Sequence, residues 1–141
     1  MRSRVTAAVS AVALVLPPVG ALAGAPPKKK IVTQWKQAPG TTVQVDRWGE
    51  LQVVLTIRKR TVTVGTKKTV TRKITAVRFP VWPNEGAAHT VHLNKQTLPV
   101  LAREMLREQF KTKVDYVSEA TDTSVAFEKS LQVALLNGRR V

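Results

Sequence analysis

The stretch Leu51-Gln-Val-Val-Leu-Thr-Ile-Arg58 decides the fold. Leu51, Val53, Leu55 and Ile57 fall on one side of an extended chain, with Gln52, Val54, Thr56 and Arg58 on the other. Side chains alternate across a strand, so one face is wholly apolar and the other mixed. A strand of this kind covers a core on one side only, as in antiparallel sheets. Thr61-Val-Thr-Val64 continues the β-branched composition, and Gly65-Thr-Lys-Lys68 has the composition of a turn into a second strand over residues 69–79. In that partner Val70, Ile74 and Ala76 keep one phase while Val77 and Phe79 take the other, so a β-bulge is expected near Ala76. Pro80 and Pro83 are expected to stop the sheet, because proline has no N–H for the ladder.

Outward from this pair, residues 31–35 and 41–45 are two further β-rich pieces, separated by the turn composition Gln37-Ala-Pro-Gly40. Toward the C-terminus the apolar period lengthens. Leu98, Leu101, Ala102, Met105, Leu106 and Phe110 form a helical stripe, opposite Arg103, Glu104, Arg107 and Lys111. Thr97 is expected to cap this helix, with Pro99 in its first turn, where a missing N–H costs nothing. A second helix is expected from about Ser124 to Leu136, burying Phe127, Leu131, Ala134 and Leu135 and ending at Asn137-Gly138. Strands first and helices after give an α+β fold: a mostly antiparallel β-sheet with two C-terminal helices packed on it, in a single small domain.

The whole chain has 141 residues, 23 Lys+Arg against 9 Asp+Glu, and a formal charge of +14. Hydrophobic residues reach 43%, enough for a packed core, so the charge belongs to the surface. Such a surface suits an anionic membrane, an acidic cell-wall polymer or an acidic redox protein. There is no cysteine, which excludes disulfides, thiolate zinc sites and iron–sulfur clusters. Redox chemistry here needs an organic cofactor or a non-thiolate metal site. At the N-terminus Arg2 and Arg4 precede an uncharged apolar run from Val5 to Leu16, then Pro17-Pro18 and Ala21-Leu22-Ala23. This is the layout of a secretory signal over residues 1–23. The run is shorter than the roughly 20 residues that span a bilayer. The protein is therefore expected to be exported and extracytoplasmic, secreted or membrane-associated. A basic leader and first strand follow over residues 24–40, then the main domain over residues 41–141. Nucleic acid fits the charge but not the export signal, and is not expected as a partner.

Between the two helices lies Asp115-Tyr-Val-Ser118-Glu-Ala120-Thr121-Asp-Thr123-Ser124. The first N–H groups of a helix lack internal partners and attract an anion such as a phosphate. Hydroxyls before a helix equally serve as ordinary caps. The residue order goes further. Asp115, Ser118, Ala120, Thr121, Thr123 and Ser124 match the attachment motif Asp-x-x-Ser-Gly-Ala-Thr-x-Thr-Ser, and the segment resembles the FMN-binding domain family. That family includes the flavin-carrying subunits of sodium-pumping NADH:quinone oxidoreductases and their Rnf relatives. Leu93-Asn94 with Leu98-Pro99-Val100-Leu101, and Ser130-Leu-Gln-Val-Ala-Leu135, are similar to the family's flanking helices; Arg72-Lys-Ile-Thr-Ala-Val77 is similar to its second strand.

The resemblance implies that Thr121 carries FMN as a phosphoester made by a separate flavin transferase using FAD. Asp115, Ser118 and Ala120 would belong to the recognition motif, and Thr123 and Ser124 would cap the helix under the phosphate. It implies an electron carrier passing electrons to an envelope redox partner, more than a stand-alone enzyme. Glu119 stands where the family has glycine, and Glu119 and Asp122 place two carboxylates beside the phosphate position. The alternative reading is a basic module that binds polyanions of the envelope and has a degenerate FMN site. The basic stretches over residues 58–60, 67–68 and 72–73 fit that docking role or a solvated, edge-protecting hairpin. His89 and His92 are expected in loop and strand, without a metal role. Trp35, Trp48 and Trp82 could stack on a flavin, but are expected to pack in the core or against proline-rich turns. No arrangement for nucleophilic hydrolysis occurs.

Overall fold

The computed structural model describes residues 24–111, 114–115 and 117–141; the secretory-signal reading of residues 1–23 lies outside them. Four strands precede two helices: β1 (Lys29–Pro39), β2 (Val43–Gln44), β3 (Glu50–Val64), β4 (Lys67–Val81), α1 (Ala88–Glu108) and α2 (Thr121–Arg140). The protein is a small single α+β domain with an antiparallel sheet, as its alternation requires. β3 is central. β4 pairs along one of its edges, and β1 followed by β2 pairs along the other. β1 is thus part of the same sheet, and its first residues Lys29 and Lys30 are strand where the basic leader was expected.

Val64 pairs with Lys67, so the β3–β4 connection is only Gly65-Thr66, tighter than the four-residue turn expected. Gly65 has a φ of 59°, the positive value that a type II′ hairpin asks of its first central residue. Thr56 pairs with Ala76 and Ile57 with Ile74, which leaves Thr75 as the extra residue of a bulge beside the expected site. Pro80 does not end the sheet. It lies within β4 at a second register shift, and Val81 pairs with Gln52 beyond it. Such an irregularity tolerates a residue without an N–H.

Both helices cover one face. Leu51, Val53, Leu55 and Ile57 are fully buried, with Ile74 from β4, Leu101 and Met105 from α1, and Phe127, Leu131, Ala134 and Leu135 from α2. Where β1 gives way to β2, the buried Ser130 hydroxyl accepts the Val53 N–H at 2.9 Å, so no strand partner is needed there. Gly40 makes this possible. A Cβ at Gly40 would collide with the Ser130 carbonyl.

The helix boundaries differ from expectation. α1 starts at Ala88, so Thr97 is not a cap and Pro99 is interior. The Thr97 hydroxyl donates to the Leu93 carbonyl at 2.8 Å. Pro99 removes the bond that would reach the Lys95 carbonyl, but both residues are exposed, where solvent can serve that group. His89 and His92 consequently lie on a helix, not in loop and strand. α2 starts at Thr121 and continues through Asn137-Gly138 to Arg140. Gly138 is needed for close approach instead of termination: a Cβ there would lie 2.7 Å from Ile57 Cδ1. The Asn137 side-chain amide donates to the Pro39 carbonyl at 2.8 Å, tying the helix to β1.

Fifteen residues of strand reach about 50 Å. α2 ends over Ile57 and Arg72, whose guanidinium donates to a Val141 oxygen at 2.8 Å. Beyond that point the outer half of the sheet, where β1, β3 and β4 run together, carries no helix among the described residues.

Candidate functional site

The sequence motif ends up at the start of α2. The first bond of that helix runs from the Ser124 N–H to the Ala120 carbonyl at 3.0 Å, so the N–H groups of Thr121, Asp122 and Thr123 lie ahead of it. Ala120 is the N-cap, and among the described residues no side chain caps the turn. Thr121 is exposed as the first helical residue. These are the features that favour an anion: uncapped donors and the positive end of the helix dipole.

Thr123 and Ser124 do not cap the helix, contrary to expectation; both are buried. The Thr123 hydroxyl donates to Asn94 Oδ1 at 2.6 Å, and the Asn94 amide donates to the Pro83 carbonyl at 3.2 Å. Asn94 therefore fastens the start of α2 to α1 and to the loop after β4. The Ser124 hydroxyl donates to the Ala120 carbonyl at 2.9 Å and accepts the Val117 N–H at 3.2 Å, which ties the approach segment to the helix. Their positions, one turn inside the helix, explain the change: at that depth a hydroxyl meets neighbouring elements before it meets the first N–H groups.

Glu119 has a φ of 65°. The backbone there is the left-handed one for which glycine is suited, although the side chain is glutamate. The turn ahead of α2 is thus formed with glutamate at this position.

A cavity of about 540 Å³ adjoins this helix start. Thr121, Ala120 and Thr123 line it, as do Glu119 and Asp122; Trp48, His89, Thr90, Leu93 and Asn94 form the other side. Its volume lies within the range of ordinary ligand sites. Among the described residues no Lys or Arg lines it. Arg47 stacks over Trp48 at 4.7 Å from the ring centre, on the cavity's aromatic wall. Asp115 and Ser118 are exposed and do not line this cavity. Asp115 lines a separate depression with Arg103 and Arg107, and its N–H is held by Glu104 at 2.7 Å. Of the six motif positions, the structure brings Ala120, Thr121 and Thr123 to the cavity and sets Ser124 beneath it.

Sequence reasoning missed His89 and Thr90 as cavity residues. The signal was hidden because residues 88–96 lack the caps and apolar stripe that announce a helix. Of the tryptophans, Trp48 and Trp82 do pack against the core, whereas Trp35 does not; it is 64% exposed. His89 and His92 lie one turn apart, yet among the described residues no three His, Cys, Asp or Glu side chains come together as a metal site. A groove of about 720 Å³ lies away from Thr121 between β4 and α1, around Phe79, Trp82 and Leu98. No helix among the described residues is long and apolar enough to cross a membrane.

No protein-family model matches this chain, and no curated protein or solved structure matches it either. The likeness to the FMN-binding family rests on residues 115–124 and their neighbouring segments.

Proposed function

We propose that the protein is an exported flavoprotein of the cell envelope that carries FMN as a phosphoester on Thr121 and passes electrons between envelope partners. One observation carries this reading: an exposed threonine at the motif's position begins a helix with uncapped N–H groups beside a cavity. The residues present fit a phosphate in position. They fit less well in charge, since Glu119 and Asp122 line the cavity and no Lys or Arg among the described residues does.

In this reading a flavin transferase joins the Thr121 oxygen to the flavin-side phosphorus of FAD. The Thr–O–P bond forms as the pyrophosphate bond breaks, and AMP leaves with the hydroxyl proton. FMN, when bound, supplies reversible electron uptake. The chain's own residues hold and orient. The N–H groups of Thr121, Asp122 and Thr123 would hold its phosphate. Asn94 fixes the turn through Thr123, and Trp48 gives the cavity an aromatic wall. The basic surface suits an acidic redox partner.

The test is the mass of the full chain co-produced with a flavin transferase. A gain of one FMN less water is expected, kept in Thr121→Ser and absent in Thr121→Ala. A colourless wild-type protein of unmodified mass would remove the flavin reading. The second reading, an envelope-docking module without flavin, is favoured by the two cavity carboxylates, and that same unmodified mass is its expected result.

A further inference from the structure

We infer that the outer half of the sheet, on the face turned away from the helices, docks on an anionic lipid bilayer. The inference stands apart from flavin attachment and uses a different part of the molecule.

Leu51, Val53, Leu55 and Ile57 point to the helices, so alternation sends Arg58, Arg60, Val62 and Val64 to the opposite face. The pairing registers set their neighbours in rows. Trp35, Arg58 and Lys73 form one row; Thr33, Arg60 and Thr71 the next; then Ile31, Val62 and Thr69; and Lys29, Val64 and Lys67 at the tip. Five cations are thus interleaved with an exposed tryptophan and three aliphatic side chains. Trp35 is 64% exposed, Ile31 46% and Val64 37%.

Charge is segregated across the molecule. No Asp or Glu occurs over residues 24–45 or 51–84; all nine carboxylates lie at the loop end of the sheet or on and between the helices. Edge protection does not account for this. Arg58 and Arg60 are on the central strand, and Trp35 and Ile31 are apolar. Arg58 sits directly across from Lys73, and Lys59 from Arg72, pairs of like charge that weaken a sheet. An anionic partner relieves that repulsion.

Two observations point to lipid instead of nucleic acid. Single-stranded nucleic acid is held on successive stacking aromatics, and this face has one. Its aliphatic side chains have no use on bases, but with Trp and Lys/Arg they match the chemistry of the bilayer interface. The chain ahead of β1 also leads to this end: Lys28-Lys29-Lys30 and the hairpin turn lie together, with Pro27 beside Gly65. The apolar run from Val5 to Leu16 would interact with neutral and anionic bilayers alike, so the reading depends on the preference between them.

The test measures partition of the full chain onto vesicles of phosphatidylcholine alone and of phosphatidylcholine with an equal share of phosphatidylglycerol, at low and high salt. A preference for the anionic vesicles that falls with salt is expected. At about fivefold per basic residue, R58Q/R60Q/K73Q should lower that preference on the order of a hundredfold. K95Q/R103Q/R107Q on α1 removes the same charge and should change it little. Tryptophan emission should shift to the blue on anionic vesicles, and Trp35→Phe should abolish the shift, since Trp48 and Trp82 pack against the core. An unchanged preference in the sheet variant, an equal loss in the α1 variant, or retention on a single-stranded oligonucleotide without lipid preference would each overturn the inference.

Discussion

At Glu119 an L-residue with a long side chain occupies a φ of 65°, where the related motif has glycine. The left-handed region costs a non-glycine residue about 1 kcal/mol or more. Glu119→Gly should therefore raise stability by about 1 kcal/mol, seen as a thermal midpoint higher by a few degrees. The same change removes one carboxylate from the cavity and, on the flavin reading, should raise the attached fraction in the mass spectrum. Asn94 is the second residue of consequence. It is 2% exposed, and its amide serves both Pro83 and Thr123. Asn94→Ala should cost about 2 kcal/mol in urea unfolding by leaving buried partners unserved. That a helix starts close to the hydroxyl run at residues 121–124 was legible in sequence, from those hydroxyls and the apolar stripe after them. That Thr123 would turn to Asn94 was not, since the bond spans 29 positions along the chain.

The elements were legible where periodicity is strong and misplaced where contacts from other elements decide their ends. Alternation over residues 51–58 placed β3, and the helical stripe placed the second half of α1. The first half of α1 has little stripe of its own; Asn94 and its bond to Pro83 belong to the packing that holds it. Gly138 was misread as a stop because a glycine after a helical stripe commonly is one. Here it admits Ile57 of β3, a long-range requirement with no local mark. Gly40 and Ser130 form a similar joint. Gly40→Ala should destabilise by about 3 kcal/mol, because the new methyl meets backbone and not a movable side chain. Ser130→Ala should cost about 1–3 kcal/mol by orphaning the buried Val53 N–H. Chemical denaturation of the two single variants checks both figures.

Across the whole molecule the sheet outruns its helices. The core ends at Ile57 and Ile74, and past the Arg72–Val141 bond no described helix supports the strands. Backbone bonds without buried side chains open more readily. Hydrogen exchange should therefore be slow at Leu51, Val53, Leu55 and Ile57 and faster over residues 58–64 and 67–71, although all belong to continuous strands. Equal protection along β3 would show that the outer half is buried by something in solution. This asymmetry separates the two proposed roles in space: a cavity at the start of α2, among the carboxylates, and a cationic sheet face at the far end.

The sequence by itself determined the α+β class, the antiparallel hairpin with its bulge, the apolar faces and the phosphate-suited motif. These follow from period, composition and residue order over short windows. Only the tertiary structure decided where the helices begin and end, that Thr121 opens on a cavity walled by Trp48 and α1, and that Trp35 and Arg58 share an uncovered face. Those outcomes depend on which distant atoms meet across the sheet. A local window holds the propensity of each segment, while its neighbours fix what that segment can bury.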